Sequence, residues 1–277
     1  MHAAGGRIMP QLWHVGAARK AGAGPVPAAP VVGPSGLNLD GSPLGDERST
    51  LTQTDLDDII GAFADAAAAA EQAGFDGVEL HGAHGYLIDQ FLWSQTNRRT
   101  DGYGGDPVAR TRFAAEIVAA VRKTVAPTFP VVFRMSQWKS GAYDAKLAAD
   151  PQELERILTP LVEAGVDVLH ASTRRYWQPE FDGSDLNFAG WVKKITGLPA
   201  ITVGSVGLDK EFSSTFQGQS PSVTGIEQLL ERLGRDEFDL VAVGRALIAD
   251  PAWAEKVRTG RAAEIIPFDL PALRTLH

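Results

Sequence analysis

Short, nearly continuous apolar runs alternate along the chain with stretches in which apolar residues recur every three or four positions. The first pattern is typical of buried strands, and the second of helices that cover a sheet. Strands are predicted at residues 7–13, 77–81, 131–136, 166–172, 200–205 and 239–245. Helices are predicted at residues 54–73, 107–125, 151–164, 188–196, 225–234 and 251–259. The alternation predicts an α/β fold with a parallel sheet.

Local signals mark several helix ends. Thr54 is expected to cap the first long helix, because acidic residues that suit its positive end follow at once. Pro107 stands at a favoured first-turn position of the next helix. At the start of the chain, HAAGG is typical of a last helical turn followed by a glycine cap.

The strand count predicts about six of the eight βα units of a TIM-type (β/α)8 barrel, treated as a single domain over residues 1–277. Polar residues end the predicted strands, where such barrels carry their chemistry. Two irregular stretches, 17–50 and 209–224, are predicted to be long loops. Long loops inside a compact domain tend to be lids or binding loops.

Charge and composition narrow the class of function. The formal net charge is −8, so no basic field would gather a nucleic acid. There are no cysteines, which excludes disulfides, thiolate catalysis and sulfur-ligated metals. Neither a signal peptide nor an apolar window of membrane-spanning length is present, so we expect a cytoplasmic protein without a membrane partner. A homo-oligomer is compatible with this interpretation.

Three proton-holding side chains stand close together in VELHGAHGYLIDQFL, residues 78–92. His81 and His84 are three positions apart, which predicts one face of a first helical turn, and Tyr86 follows. Two imidazoles can donate to one oxygen that gains negative charge, and a phenol can act as a general acid. The alternative is a hydrogen-bonded core histidine beside a tyrosine at the rim. No metal site is predicted, because the i, i+4 spacing and a third ligand are missing.

The next segment, WSQTNRRTDGYGGDPVARTRF at 93–113, completes a longer pattern. HGAHGYLIDQFL followed by N-x-R-x-D-x-YGG resembles the signature of the Old Yellow Enzyme family, the FMN-dependent NAD(P)H:flavin oxidoreductases. The resemblance extends from GGRIMPQLWHVG at 5–16 to VAVGRALIADP at 241–251, nearly the whole chain. Family members have two further βα units before the first of these stretches. The chain is therefore expected to lack the N-terminal strands of the barrel.

The resemblance implies roles for particular residues. His81 and His84 would bind the carbonyl oxygen of an α,β-unsaturated substrate. Reduced flavin would deliver hydride to the β-carbon, and Tyr86 would donate the proton to the α-carbon. Gln11 would bond the pyrimidine edge of the flavin. Arg134 would lie near N1 and O2, where a cation stabilises the anionic reduced flavin, although an ion pair at the barrel mouth is the alternative for this residue.

Two glycine turns at strand ends, ITVGSVG at 201–207 and VAVGRAL at 241–247, suit a phosphate site. Together with the resemblance they imply FMN phosphate contacts at Gly204, Ser205, Gly244 and Arg245. The predicted function is reduction of the C=C bond of α,β-unsaturated carbonyl compounds, with NAD(P)H as the hydride source. The alternatives are a flavin-barrel dienoyl reductase or demethylase, without the iron–sulfur cluster of some larger members, and an inactive truncated remnant.

Overall fold

The computed structural model describes residues 1–274 and contains a parallel sheet of six strands. The strands are β1 (Gln11–Leu12), β2 (Val78–His84), β3 (Val131–Lys139), β4 (Val168–Ser172), β5 (Ala200–Val203) and β6 (Leu240–Val241). Their order in the sheet is that of the chain, β1-β2-β3-β4-β5-β6. In register, Gln11 pairs with Glu79, and His81 pairs with Arg134. The predicted α/β class and its six parallel strands are confirmed.

Nine α-helices lie in the described part of the chain, and they include the six predicted ones. They are α1 (Gln53–Gln72), α2 (Leu87–Leu92), α3 (Pro107–Thr124), α4 (Pro151–Glu163), α5 (Phe188–Thr196), α6 (Phe212–Phe216), α7 (Glu227–Gly234), α8 (Arg245–Ala249) and α9 (Trp253–Arg258). Short 3-10 helices span His2–Ala4, Gly16–Ala18, Glu47–Ser49, Ala262–Glu264 and Leu270–Arg274. Among residues 1–274, no helix has the length and apolar character needed to cross a bilayer.

The helix termini correct one expectation and confirm two others. Helix α1 is capped by Thr52 and not by Thr54: the Thr52 hydroxyl accepts from the Asp55 N–H, and the Asp55 carboxylate accepts from the Thr52 N–H at 2.8 Å. Thr52 and Thr54 are each followed three residues later by an aspartate, but the helix begins at Gln53, so only Thr52 stands at the capping position. The opening HAAGG forms a single 3-10 turn, closed by Gly5 in the left-handed region as expected. Pro107 stands in the first turn of α3, behind the capping side chain of Asp106.

The chain divides into two compact units. Unit 1 contains Met1–His170 and Ile195–Leu198, and unit 2 contains Ala171–Lys194 and the chain from Pro199 onward. The expectation of one domain over residues 1–277 stays a prediction.

In unit 1, α1 and α4 both pack on α3, and their apolar faces are buried together with β2 and β3. The rings of Phe91 in α2 and Phe113 in α3 lie 4.2 Å apart at their centroids. Phe133 of β3 is also fully buried. This core fixes the carboxyl ends of β2 and β3 relative to α2.

In unit 2, α5 and α7 bury apolar side chains, including Phe188 and Leu229. Asn187, at the start of α5, donates to the Tyr176 carbonyl at 2.8 Å and to the Thr202 hydroxyl at 3.1 Å. A second small cluster joins Leu208, Ala249 and Phe268. The predicted loop 209–224 contains the short helix α6.

The other predicted loop, residues 17–50, is irregular apart from its short 3-10 helices and two isolated β-bridges. One bridge pairs Gly33 with Thr50, and the other pairs Leu37 with Pro43. One side chain ties its first half together. The Arg19 guanidinium donates to the carbonyls of Ala23, Val26, Ala29 and Pro30. The loop therefore has a defined shape although it contains little regular structure.

The substitution Gly82→Ala should destabilise unit 1. A Cβ at Gly82 would lie 2.7 Å from Phe133 Cε1 and 3.1 Å from the Arg134 carbonyl oxygen, so the buried ring would have to shift. Such overpacking costs about 1–3 kcal/mol. The matched control is Gly61→Ala on α1, where the new methyl group meets open space and should stabilise the helix by about 0.5–1 kcal/mol. Urea denaturation of both variants measures the difference, and equal midpoints would contradict the close approach.

Candidate functional site

The end of β2 is an irregular strand followed by a left-handed turn. Its register against β3 shifts between Gly82 and His84, and both His84 (φ 64°) and Gly85 (φ 83°) are in the left-handed region. The predicted helical first turn over His81 and His84 is wrong, since α2 begins only at Leu87. The physical reason is bonding across the sheet. The His84 N–H donates to Ser136 Oγ at 2.9 Å, and the His84 carbonyl accepts from the Ser140 N–H at 3.1 Å.

This geometry brings the three predicted side chains together. The ring centroid of His81 lies 5.1 Å from that of His84 and 5.3 Å from that of Tyr86. Trp13, half exposed at the end of β1, meets the Tyr86 ring edge-on at 4.7 Å. On the other side, His84 stacks on Trp138 at 4.4 Å. Two tryptophans, Trp13 and Trp138, therefore flank the cluster.

Both imidazoles are neutral at ordinary pH. Burial, aided by the nearby Arg134 cation, lowers the pKa of His81 to about 4 and the pKa of His84 to about 2. A neutral imidazole carries one N–H donor and one acceptor nitrogen. His81 Nδ1 is buried and has no hydrogen-bond partner within residues 1–274. Such an atom is costly unless a bound molecule satisfies it.

A carboxylate, Glu79, connects side chains of three strands. Its Oε1 accepts from Gln11 Nε2 at 2.5 Å, and its Oε2 lies 2.6 Å from His170 Nδ1. Burial raises the pKa of Glu79, but its bonds to His170 and Gln11 and the Arg134 charge outweigh this and lower it overall. Because an ionised carboxylate only accepts hydrogen bonds, Gln11 must turn the NH2 of its side-chain amide toward Glu79 and the amide oxygen away. The sequence reasoning missed Glu79 and His170, although Glu79 stands two positions before His81 and so shares its face of the strand.

A second missed pair lies beneath the turn. Asp89 of α2 and Lys139 of β3 are fully buried, with Asp89 Oδ1 and Lys139 Nζ 2.8 Å apart. Burial raises the pKa of Asp89 and lowers the pKa of Lys139, and their mutual attraction opposes both shifts. The other oxygen of Asp89 accepts from the Gly85 N–H at 2.7 Å. A charged residue inside the apolar segment LIDQFL was the available signal, since charged residues are almost never fully buried unless paired.

The predicted phosphate residues lie in unit 2. Gly204 (φ 146°) lies against Thr173, and a Cβ there would come within 2.6 Å of Thr173 Oγ1. Ser205 donates to main-chain carbonyls, and the Arg245 guanidinium donates to the Lys210 carbonyl at 2.6 Å and to Thr215 Oγ1 at 3.0 Å. Arg245 therefore holds the 209–224 loop as well as standing beside Ser205.

The fourth predicted phosphate residue, Gly244, is exposed immediately before α8. Within the described residues, no group of three or more metal-ligating side chains comes together.

Comparison with known proteins gives one family. The family model described as NADH:flavin oxidoreductase / NADH oxidase matches residues 1–264. The chain is 37% identical to an NADH oxidase of Thermoanaerobacter brockii over 277 residues, which is 96% of this chain and 38% of that protein. It is 33% identical to a cinnamate reductase of Clostridium sporogenes over 227 residues, 75% of this chain and 31% of that protein. The chain thus spans about a third of the length of these relatives.

Among solved structures, the chain is similar to morphinone reductase in complex with tetrahydroNAD. The TM-score is 0.76 and the sequence identity 27%, with 98% of this chain and 70% of that chain covered. This likeness confirms the predicted barrel class of fold.

Lowering the pH from 7 to 5 should destabilise the chain through His84. Its folded pKa is about 2, against 6.5 in the unfolded state, so only the unfolded chain takes up a proton in this window. The free energy of unfolding therefore rises with pH below 6.5, and the contribution of His84 between pH 5 and 7 is about 1–2 kcal/mol. Denaturant unfolding at pH 5, 6 and 7 should show a smaller slope for His84→Asn, since Asn tolerates the left-handed backbone. Identical slopes would show that His84 is not buried as a neutral ring.

Proposed function

Because the chain belongs to the NADH:flavin oxidoreductase / NADH oxidase family, we propose that it reduces the C=C bond of α,β-unsaturated carbonyl compounds with hydride from NAD(P)H. The membership confirms the resemblance to the Old Yellow Enzymes. FMN is the cofactor of this family and NAD(P)H its reductant. The choice of substrate class is the step beyond the family, and it depends on the side chains at the end of β2.

The observation that carries the proposal is the cluster of two neutral imidazoles and a phenol. A substrate carbonyl oxygen that gains negative charge needs hydrogen-bond donors held in a place with little water. His81 and His84 are buried, neutral and adjacent, so each can donate one N–H without gaining or losing a proton. The unpartnered Nδ1 of His81 supports binding of a polar atom there.

Each side chain of the site would have a separate task in the reaction. His81 and His84 hold the carbonyl oxygen and make the β-carbon electrophilic. FMN, when bound, supplies the two-electron chemistry that carries a hydride from NAD(P)H to an alkene carbon. Tyr86, beside the His81 imidazole, donates its phenolic proton to the α-carbon. Trp13 packs against the Tyr86 ring and limits its movement.

The chain also offers contacts that suit FMN itself. In unit 1, the Gln11 amide is oriented by Glu79, which leaves its oxygen to accept from a flavin N–H. Arg134 is largely buried near Glu79, and a cation there would favour the anionic reduced ring. In unit 2, Gly204 has no room for a side chain because Thr173 and Arg175 lie against it. As part of a glycine turn at a strand end, it is a proposed phosphate contact. Ser205, Gly244 and Arg245 are the further proposed phosphate contacts.

A reductase for electron-poor alkenes is also consistent with one relative. Cinnamate reductase is named for an alkene conjugated to a carboxyl group. We therefore expect electron-poor alkenes, such as enones and enals, as substrates, with the carbonyl oxygen at the imidazoles.

Tyr86→Phe tests the proton donor in the FMN-loaded protein. Loss of the general acid should slow alkene reduction about 100-fold or more, because positioned acids contribute about 10²–10⁴-fold. Reduction of the flavin by NAD(P)H needs no proton from Tyr86 and should stay within about twofold. Stopped-flow absorbance at the flavin band separates the two half-reactions.

The control for this variant is Tyr143→Phe, which removes a phenolic hydroxyl from an exposed tyrosine beside Trp138. It should leave both half-reactions unchanged. Equal loss of both half-reactions in Tyr86→Phe would remove the proton-donor role.

His81→Ala tests the oxygen-binding role. A phenolate mimics the activated carbonyl oxygen, so its affinity for the FMN-loaded protein should fall about tenfold or more when one donor is removed. Spectral titration with a para-substituted phenol measures the dissociation constant. An unchanged constant would contradict the proposed substrate class, and a wild-type chain that retains no FMN would favour the inactive remnant.

A further inference from the structure

We propose that Asp89 and Lys139 are a positioning pair. By holding the Gly85 peptide, they fix the positions of the two residues on either side of it, which would contact the substrate. This inference rests on the proposed function, because the flanking residues are His84 and Tyr86. Neither member of the pair touches the substrate in this proposal.

The pair is a poor device for stability alone. Both side chains have no exposed surface, and removing two charges from water costs several kcal/mol per ion before their attraction offsets it. A well-packed apolar pair of similar volume is often as stable or more so. A geometric role therefore explains the pair better than a contribution to the core.

The polar atoms of the pair bond to each other, to β3 and to the turn, and these bonds fix the distances between α2, β3 and the turn. Asp89 Oδ1 accepts from Lys139 Nζ, and Oδ2 accepts from the Gly85 N–H at 2.7 Å. Lys139 Nζ also donates to the Ser136 carbonyl at 3.1 Å. Ser136 Oγ in turn accepts from the His84 N–H at 2.9 Å.

The Gly85 peptide is held from both sides. Its N–H donates to Asp89, and its carbonyl accepts from Gln90 Nε2 at 2.7 Å. Gly85 is in the left-handed region, at the only position between the imidazole of His84 and the phenol of Tyr86. A rotation at this peptide would move both rings, His84 away from Trp138 and Tyr86 away from Trp13.

Two double variants separate the hydrogen bond from the charge. Asp89→Asn with Lys139→Gln is neutral but keeps an acceptor for the Gly85 N–H and a donor for the Ser136 carbonyl. Asp89→Leu with Lys139→Met has similar shape, is neutral as well, and removes the acceptor. Thermal unfolding of both proteins checks that each is folded before any comparison.

The first readout needs neither flavin nor substrate. The chain has six histidines, and the imidazole NMR signal of His84, identified by its loss in His84→Asn, is displaced by the stacked Trp138 ring. We expect this displacement to persist in Asp89→Asn/Lys139→Gln and to disappear in Asp89→Leu/Lys139→Met. The second readout is the phenol affinity of the FMN-loaded protein, which should stay within about threefold in the first protein and fall about tenfold in the second.

A folded Asp89→Leu/Lys139→Met protein that keeps both the His84 signal and the phenol affinity would overturn the proposal. So would loss of both in the Asn/Gln protein, because the acceptor is still present there. If the Leu/Met protein does not fold, Asp89→Ala with Lys139→Met removes the same acceptor from the Gly85 N–H with less bulk, and an unchanged His84 signal in that protein overturns the proposal. A wild-type protein that binds no phenol contradicts the proposed function alone, since the NMR comparison still decides the role of the pair.

Discussion

A carboxylate with no water around it can be accommodated only where donors surround it, and the Asp89 carboxylate imposes this condition on the end of β2. Its donors are the Lys139 ammonium group and one peptide N–H of the turn. These groups come from β3, α2 and the turn between β2 and α2, so none of the three can move alone. The stacking of His84 on Trp138 and the contact of Tyr86 with Trp13 follow from that arrangement.

The side chains proposed to donate hydrogen bonds to the substrate are uncharged, while ionised groups lie close to them. Glu79 is ionised and engages Gln11 and His170, and burial, aided by the nearby Arg134 charge, holds the adjacent imidazoles neutral. Neutral donors are suited to an oxygen whose charge changes during a reaction, because they need not exchange protons with solvent. The same electrostatic arrangement makes the fold sensitive to acid, since the buried imidazoles resist protonation.

The sequence predicted the regular elements because each depends on its own pattern: six apolar runs became six strands, and the amphipathic stretches became helices. It failed where hydrogen bonds and ion pairs between residues far apart in the chain determine the local structure. The histidine spacing suited a helix, but the His84 peptide bonds with Ser136, 52 positions away. Asp89 and Lys139 are 50 positions apart, and Glu79 and His170 are 91 apart. The roles of His81, His84 and Tyr86 came from a family motif, and they stay predictions until the variants are measured.

Arg19 gives the 17–50 loop a property that its composition does not suggest. Glycine, proline and alanine usually make a segment that frays residue by residue, yet one guanidinium here bonds four carbonyls spread over residues 23–30. Opening any part of that segment exposes the same guanidinium to water and weakens the remaining bonds. We therefore expect the first half of the loop to open as one cooperative unit.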